Sequence, residues 1–286
     1  MKKMKLWLTV VLLTAMSVCG LASPADGRVP ELKKAILMAY YGTLDDSARV
    51  VSFDALTARV RQAFPGVEVR EAFTSRATAS AMRRQTGREH PLVTVALQQL
   101  EADGYNSIIV VSGELLHGKT ARLMEQQIDT MSYRFFEVKT TTPLLYTADD
   151  CRKVMPLLVQ AAQVGADEQC VFVTHGKNGA DDAVLCLADY VLQHEGYANC
   201  HVGTAEGYPS MQNIRQQLQL SGSKRVVLVP LMMVGGGHAK RTVGKAWRET
   251  LEAEGYSVRA LTGGVLDVPA IQQLIIDKIK ETDRQP

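Results

Sequence analysis

Several sequence patterns that identify common classes of enzyme are missing from this chain. Its cysteines include no CxxC pair, so neither the usual structural zinc motif nor a thioredoxin-like redox motif is present. No G-x-S-x-G sequence occurs, which argues against hydrolases that place a serine on such a turn. The glycine run at residues 235–237 fits neither G-x-G-x-x-G nor G-x-x-x-x-G-K-[ST]. We interpret this run as room for a flat ligand to approach the backbone.

The chain also has little excess of positive over negative charge. The net charge is +2, and positive and negative residues are mixed along the chain. A nucleic-acid partner is therefore not expected, because such proteins concentrate Lys and Arg on one face or along one helix.

The N-terminal segment, residues 1–25, is typical of an export signal. A basic start precedes an apolar run from Leu6 to Val18, and small residues follow. The run is shorter than the roughly 20 residues of a membrane span, so we expect no span after cleavage. Cleavage between Ser23 and Asp26 would place the mature protein in the periplasm. Val18 is a poor residue to precede a lipidated Cys19, which argues against a lipid anchor.

The remaining chain alternates short apolar runs with amphipathic stretches, which predicts an α/β fold. Eight predicted strands fall into two sets of four, and this grouping predicts two similar Rossmann-like domains, each a four-stranded parallel sheet flanked by helices. We place the domains at residues 26–147 and 148–286. The predicted strands are Ala35–Tyr41, Val67–Phe73, Ser107–Ser112, Glu137–Leu145, Cys170–Thr174, Cys200–Thr204, Arg225–Met233 and Ser257–Leu261.

Repeated local patterns favour an ancient duplication of one βα array. Gly104, Gly196 and Gly255 each precede a tyrosine at the predicted end of a helix. A residue with a left-handed backbone conformation commonly ends a helix at this position. The segments SIIVVSGELLHGKTARLME and RVVLVPLMMVGGGHAKRTVG also correspond. Each contains a buried strand, a loop carrying a histidine and the basic start of a helix.

Three chemically active side chains follow three successive strands of the second set: His175, Glu206 and His238. Ligands of open parallel sheets bind outside the carboxyl ends of the strands. In the common order 2-1-3-4 the three strands are neighbours, so the side chains converge. Two imidazoles and a carboxylate suit a divalent metal with open coordination positions. Each residue alone is more often an ordinary turn or helix-capping residue; the joint placement supports the metal site.

The histidine at 238 is predicted at the first turn of a helix. The positive end of the helix dipole disfavours imidazolium there, so His238 is expected to be neutral and able to bind metal. For Cys170 and Cys200, which open neighbouring predicted strands, the sequence leaves two states open. They form a disulfide or they are buried free thiols, which are common core residues.

With these residues in place, the chain resembles the anaerobic cobalt chelatases of cobalamin synthesis, the CbiK-type sirohydrochlorin cobaltochelatases. The resemblance extends from KKAILMAYYGT and REAFTSRATASAMRRQ to THGKNG, VGTAEGYPSMQ and PLMMVGGGHAKR. It implies two similar α/β domains with the tetrapyrrole in the cleft between them. Most members of the family work in the cytoplasm, so the export signal implies an exported branch.

The resemblance also implies roles for individual residues. The metal ligands would be His175, Glu206 and His238, with His175 and His238 catalytic and a neutral imidazole acting as general base. Cofactors other than the substrate metal, Co²⁺ or Fe²⁺, are not required. Residues implied to bind the tetrapyrrole are Tyr40, Gly42, Thr43 and Glu114, the last in place of a histidine of the family. Candidates to bind the acid side chains of sirohydrochlorin are Lys119, Arg122, Lys240 and Arg241, which suit solvated helix starts equally well.

Two alternatives remain open from the sequence. The first is a periplasmic protein that binds or stores metal or haem without turnover. The second concerns His117, which corresponds to His238 if the histidines of the two repeats are aligned. We interpret it as a capping or solvent-facing residue; the alternative is an axial haem ligand at a subunit contact that holds a homo-oligomer together.

Overall fold

The computed structural model describes residues 31–177 and 179–285. The predicted export signal, residues 1–25, lies outside them. The chain from Leu32 onward is one compact unit. Within the described ranges, no helix combines the length and apolarity that crossing a membrane requires.

In the part of the chain that the structure describes, eight strands form two four-stranded parallel sheets. Their orders are β2-β1-β3-β4 and β6-β5-β7-β8, so both halves have the order 2-1-3-4 that the sequence analysis assumed. The strands are β1 (Lys34–Tyr40), β2 (Glu68–Phe73), β3 (Ser107–Ser112), β4 (Glu137–Thr140), β5 (Gln169–Thr174), β6 (Cys200–Thr204), β7 (Arg225–Pro230) and β8 (Ser257–Ala260).

Helices connect the strands and cover both sheets. They are α1 (Asp46–Arg49), α2 (Ala55–Ala63), α3 (Arg76–Thr86), α4 (Val93–Ala102), α5 (Lys119–Ser132), α6 (Ala148–Ala162), α7 (Ala183–His194), α8 (Met211–Ser221), α9 (Gly237–Arg241), α10 (Arg248–Ala253) and α11 (Pro269–Arg284). In the described residues, π-helical segments Val50–Asp54 and Thr242–Trp247 follow the short helices α1 and α9. Two 3₁₀ turns are Ala180–Asp182 and Val265–Asp267.

The predicted α/β class is confirmed, and the predicted strands agree with those observed to within one residue, except at two carboxyl ends. The strand expected to reach Leu145 stops at Thr140, and the one expected to reach Met233 stops at Pro230. In the first case Pro143 lacks an N–H group and interrupts the ladder. Pairing resumes beyond it, where the N–H group of Leu144 donates to the Glu114 carbonyl.

The helix that follows the fourth strand of each sheet packs against elements that belong to the other sheet. α6, which follows β4, packs against α7, and α11, which follows β8, packs against α2, β3 and β4. Lys34 on β1 pairs with Asp283 on α11. One hydrophobic cluster therefore includes side chains of both sheets, among them Ile36 and Phe172. The predicted boundary at residues 147 and 148 separates the sheets but does not separate two cores.

The three glycines predicted to end helices do adopt the left-handed conformation. Gly104, Gly196 and Gly255 have φ angles of 80°, 97° and 85°. The tyrosine after each glycine donates its backbone N–H to a leucine carbonyl five residues earlier, at 3.0 to 3.1 Å. This is the bond that closes a Schellman motif. The three helices follow β2, β5 and β7, which are not equivalent strands of the two halves, so the motif does not bear on the duplication.

His201 on β6 is a histidine of the core. It is buried, and both ring nitrogens have partners: Nδ1 lies 3.0 Å from Gln193 Nε2 and Nε2 lies 3.2 Å from Gln169 Oε1. Burial lowers the pKa of His201 from 6.5 to about 4. The ring is therefore neutral in the folded protein at neutral pH.

Acid is expected to destabilise the fold through His201. Between pH 6.5 and about 4 the unfolded chain binds a proton at this residue that the folded chain does not, so stability falls as pH falls through this window. The loss amounts to about 3 kcal/mol at about 1.4 kcal/mol per pH unit. Urea unfolding of wild type and His201→Gln at several pH values measures it. Equal pH slopes for the two proteins would contradict the assignment.

Candidate metal centre

The three side chains predicted to converge lie together in the structure. His238 Nε2 is 3.3 Å from His175 Nδ1, and the ring centroids are 4.3 Å apart. Glu206 Oε1 is 3.9 Å from His175 Nδ1. Their strands, β6, β5 and β7, are neighbours in the sheet, which is why residues far apart in sequence meet at its carboxyl edge.

The loops after β5 and β6 continue the strand pairing and so fix the first two side chains. The N–H groups of Ala205 and Glu206 donate to the carbonyls of Thr174 and His175 at 3.0 and 2.9 Å. His175 and Glu206 are thus held in register by backbone hydrogen bonds.

Two glycines allow these loops to approach each other. Gly176 has a φ of +68°, and a Cβ atom there would lie 2.6 Å from Thr204 Cβ and 2.9 Å from the Gly207 nitrogen. At Gly207 an added Cβ would lie 2.1 Å from Asp182 Oδ2. Asp182 is buried and accepts a hydrogen bond from the Lys177 N–H. A side chain on either glycine would therefore push apart the loops that carry His175 and Glu206.

His238 lies in the first turn of α9, as predicted. Its pKa is lowered, first by burial and then by His175 and Arg241, while Glu206 opposes the shift. The expected neutral imidazole is thus favoured, but burial and neighbouring cationic groups contribute in place of the expected helix dipole. α9 is a short helix with few aligned peptide groups.

The two histidines already have a spacing that a metal can use. Nitrogens bound to one tetrahedral ion, with bonds of about 2.0 to 2.1 Å, stand about 3.3 Å apart, close to the separation observed. Among the described residues, no three His, Cys, Asp or Glu groups form a complete metal site. The Glu206 side chain is 66% exposed, and its Oε1 lies on the same side of the site as the two imidazoles, 3.9 Å from His175 Nδ1.

The metal centre opens into a cleft of about 1080 Å³ lined by both halves. The second half contributes His175, His238 and the segment 231–234, and the first half contributes Gly42, Thr43 and Glu114. The cleft is large enough for a ligand well above the size of a metal ion. Gly42, Thr43 and Glu114 are thus where the sequence analysis expected them.

The expectation for Tyr40 is wrong. Its side chain is 0% exposed, stacks on Phe53 and hydrogen-bonds to Thr57 Oγ1 at 2.9 Å. Tyr41 lines the cleft instead. Successive side chains of a strand point to opposite faces. The prediction was therefore wrong by one position and named the core residue Tyr40 in place of Tyr41.

Glu114 is a partly buried acidic residue in the first-half wall of the cleft. Its Oε1 accepts a hydrogen bond from Thr74 Oγ1 at 3.0 Å. Burial raises the pKa of Glu114, although Thr74 and Lys177 oppose the rise. The carboxyl group is therefore poised to exchange a proton with a bound ligand. In the duplicated fold its counterpart is Met232, because both residues stand four positions before the capping glycine of a helix.

The segment GELLHGKT, residues 113–120, matches G-x-x-x-x-G-K-[ST], and the sequence analysis missed it. The structure shows a different use of these residues. The carbonyls of Glu114 and Leu115 accept hydrogen bonds from Leu144 and Leu145, and the Gly113 N–H donates to Ala39. The backbone continues the sheet where a phosphate loop would curl around its ligand, so the match carries no phosphate site.

His117 is not the structural counterpart of His238. The capping glycines Gly118 and Gly236 have nearly equal backbone angles, and counting two residues on from each pairs His238 with Thr120. His117 Nε2 lies 2.8 Å from Glu125 Oε2, and its ring meets Tyr146 edge to face. These contacts support a local structural role; the haem-ligand and oligomer interpretation stays a prediction.

The described cysteines are unpaired, and the four cations predicted to bind acid side chains lie in different surroundings. Cys170 and Cys200 are opposite each other in the β5–β6 register, and all four described cysteines are free thiols. Of the four cations, Arg241 lines the cleft, whereas Arg122 and Lys240 form ion pairs with aspartates of the opposite half. Lys119 is exposed at the start of α5.

The profile of the cobalt chelatase (CbiK) family matches residues 34–284 of the sequence. This chain belongs to the cobalt chelatase family. The match covers both sheets and includes His175, Glu206 and His238.

Known proteins similar to this chelatase agree over most of their length. It is 25% identical over 250 residues to sirohydrochlorin cobaltochelatase of Salmonella typhimurium, covering 86% of this chain and 94% of that protein. It is 29% identical over 265 residues to sirohydrochlorin cobaltochelatase CbiKC of Nitratidesulfovibrio vulgaris, covering 88% and 91%. SirB from Bacillus subtilis with Fe³⁺ has the same fold, with a TM-score of 0.65 at 15% identity over 88% of this chain and 96% of that one.

Proposed function

We propose that this chelatase inserts Co²⁺ into sirohydrochlorin, with His175, Glu206 and His238 as the metal site. The observation that carries the proposal is the pair of imidazole nitrogens 3.3 Å apart at the wall of a cleft of about 1080 Å³. The relatives named sirohydrochlorin cobaltochelatase support the choice of substrate. Fe²⁺ suits the same nitrogen and oxygen ligands and is the second candidate metal.

The reaction exchanges two pyrrole N–H protons for one divalent ion. His175 and His238 bind the ion at one face of the macrocycle and replace part of its water shell, and Glu206 supplies an anionic ligand. As the ion passes to the ring nitrogens and the two N–H bonds break, each imidazole that releases the ion accepts one pyrrole proton. The lowered pKa of His238 favours the neutral ring that both tasks require.

Glu114 acts at the first-half wall in this proposal. Its carboxyl group is partly buried, and its raised pKa allows it to be protonated closer to neutral pH than an exposed glutamate. We assign it a hydrogen bond to the pyrrole nitrogens, which orients the macrocycle toward the histidines. Tyr41, Gly42 and Thr43 bound the same wall.

An anaerobic assay tests the proposal. Metal-free sirohydrochlorin is mixed with Co²⁺ or Fe²⁺ and catalytic amounts of protein, and the absorption change that accompanies metallation is followed. Many turnovers per protein molecule are expected. Saturation at one equivalent would support the alternative, a metal- or haem-binding or storage protein.

We also propose that the protein is exported to the periplasm, on the pattern of residues 1–25. Cell fractionation of the full-length chain, compared with a variant lacking residues 2–25, tests this location. Wild type in the cytoplasmic fraction at full length would contradict it and leave the chelatase activity unaffected.

A further inference from the structure

Two ion pairs join the halves of the molecule beside the cleft. Lys240 Nζ lies 2.6 Å from Asp45 Oδ2, and Arg122 Nη1 lies 2.8 Å from Asp181 Oδ1. Each pair connects two segments that contribute residues to the cleft lining: α9 to the loop after β1, and α5 to the loop after β5. We call them the two clasps.

The clasps are equivalent under the duplication. Arg122 and Lys240 both stand four residues after the capping glycine of the helix that follows the third strand. Asp45 and Asp181 both lie between the first strand of a half and its next long helix. Each half therefore gives a cation to the other half and receives one from it.

The cations of the clasps are the more exposed partners. Their side chains are 48% and 49% exposed, against 19% and 20% for the aspartates. Asp45 Oδ1 also accepts hydrogen bonds from Ser47 Oγ and the Ala48 N–H, so this oxygen keeps its partners if Lys240 leaves Oδ2 for another carboxylate. Exposed ion pairs contribute little net stability, and a ligand carboxylate can replace one aspartate at small cost.

We propose that Lys240 and Arg122 determine specificity for a tetrapyrrole rich in acid side chains, by leaving Asp45 and Asp181 and pairing with substrate carboxylates at the rim of the cleft. The aspartates hold the cations in place while the cleft is empty and compete with the substrate for them. This inference rests on the proposed function, because sirohydrochlorin supplies the carboxylates.

The test compares the two partners of each clasp. Kd for metal-free sirohydrochlorin is measured by anaerobic fluorescence titration, without Co²⁺. Lys240→Met and Arg122→Met are expected to raise Kd about two- to fivefold each, and Asp45→Asn and Asp181→Asn to lower it by a similar factor. Asparagine retains the helix-capping role of Asp45. For mesoporphyrin, which has fewer acid groups, all four changes are expected to be smaller.

The matched control is the ion pair between Arg225 and Asp167, at the amino end of β7 and away from the cleft. Arg225→Met and Asp167→Asn are expected to leave Kd unchanged. If the cation variant and the aspartate variant of a clasp shift Kd in the same direction, the clasps only hold the halves together and the inference is wrong. Co²⁺ insertion by wild type would still support the proposed function in that case. Wild type that binds sirohydrochlorin without inserting metal would overturn the function alone; wild type that does not bind it would overturn both.

Discussion

His175→Ala and His238→Ala are each expected to abolish cobalt insertion while the protein remains folded. Either change removes one of the two nitrogens that stand 3.3 Å apart, so the ion loses a ligand and the macrocycle loses a proton acceptor. Loss of a general base alone reduces a rate by about 10² to 10⁴. The measurement is the initial rate of metallation of sirohydrochlorin, with circular dichroism and thermal unfolding as checks of the fold.

His194→Ala provides the control for this pair of substitutions. His194 lies at the exposed carboxyl end of α7, where it stacks on Tyr190, and the substitution is expected to leave the rate unchanged. Near-normal turnover by either active-site variant would refute the metal-site assignment.

Gly176→Ala is expected to reduce the rate of insertion by about 10² because it displaces His175 without removing it. The added Cβ would lie 2.6 Å from Thr204 Cβ and 2.9 Å from the nitrogen of Gly207. The loops that carry the first two ligands would separate by a fraction of an ångström or more. The weakening of Co²⁺ binding, measured by titration, should accompany the loss of rate.

Gly222→Ala is the matched control for backbone strain. Gly222 has a φ of +70°, close to the +68° of Gly176, but an added Cβ meets nothing within 4 Å. Both variants carry the cost of a left-handed alanine, and only Gly176→Ala disturbs the site. Equal losses of activity would show that strain or lowered stability, and not the position of His175, explains the effect.

The sequence was sufficient to predict the strands and, once the common strand order is assumed, the meeting of the three side chains. Parallel strands are buried on both faces and are recognisable as apolar runs, and polar residues that follow adjacent strands share an edge. The left-handed glycines before Tyr105, Tyr197 and Tyr256 were predictable for a similar reason, because a helix end requires a local conformation that few other residues adopt.

Errors arose where one position or a distant contact decides the outcome. Successive side chains of a strand point to opposite faces. Assigning the cleft to Tyr40 instead of Tyr41 therefore named a core residue in place of the residue that lines the cleft. The loops at residues 113–117 and 231–235 have equal length, and counting from them would have matched His238 with Thr120. The partners of Arg122 and Lys240 lie 59 and 195 residues away in sequence, and no local pattern predicts such pairs.

The exchange of α6 and α11 between the halves makes the duplicated units inseparable. A fragment ending at Thr147 would keep its own sheet but lose α11, whose Asp283 pairs with Lys34 and whose Gln272 accepts from Arg59. The apolar side chains of β3 that pack in the same cluster as that helix, Ile109 and Val111, would then be exposed to water. We therefore expect that neither half of the present chain folds stably when it is expressed alone.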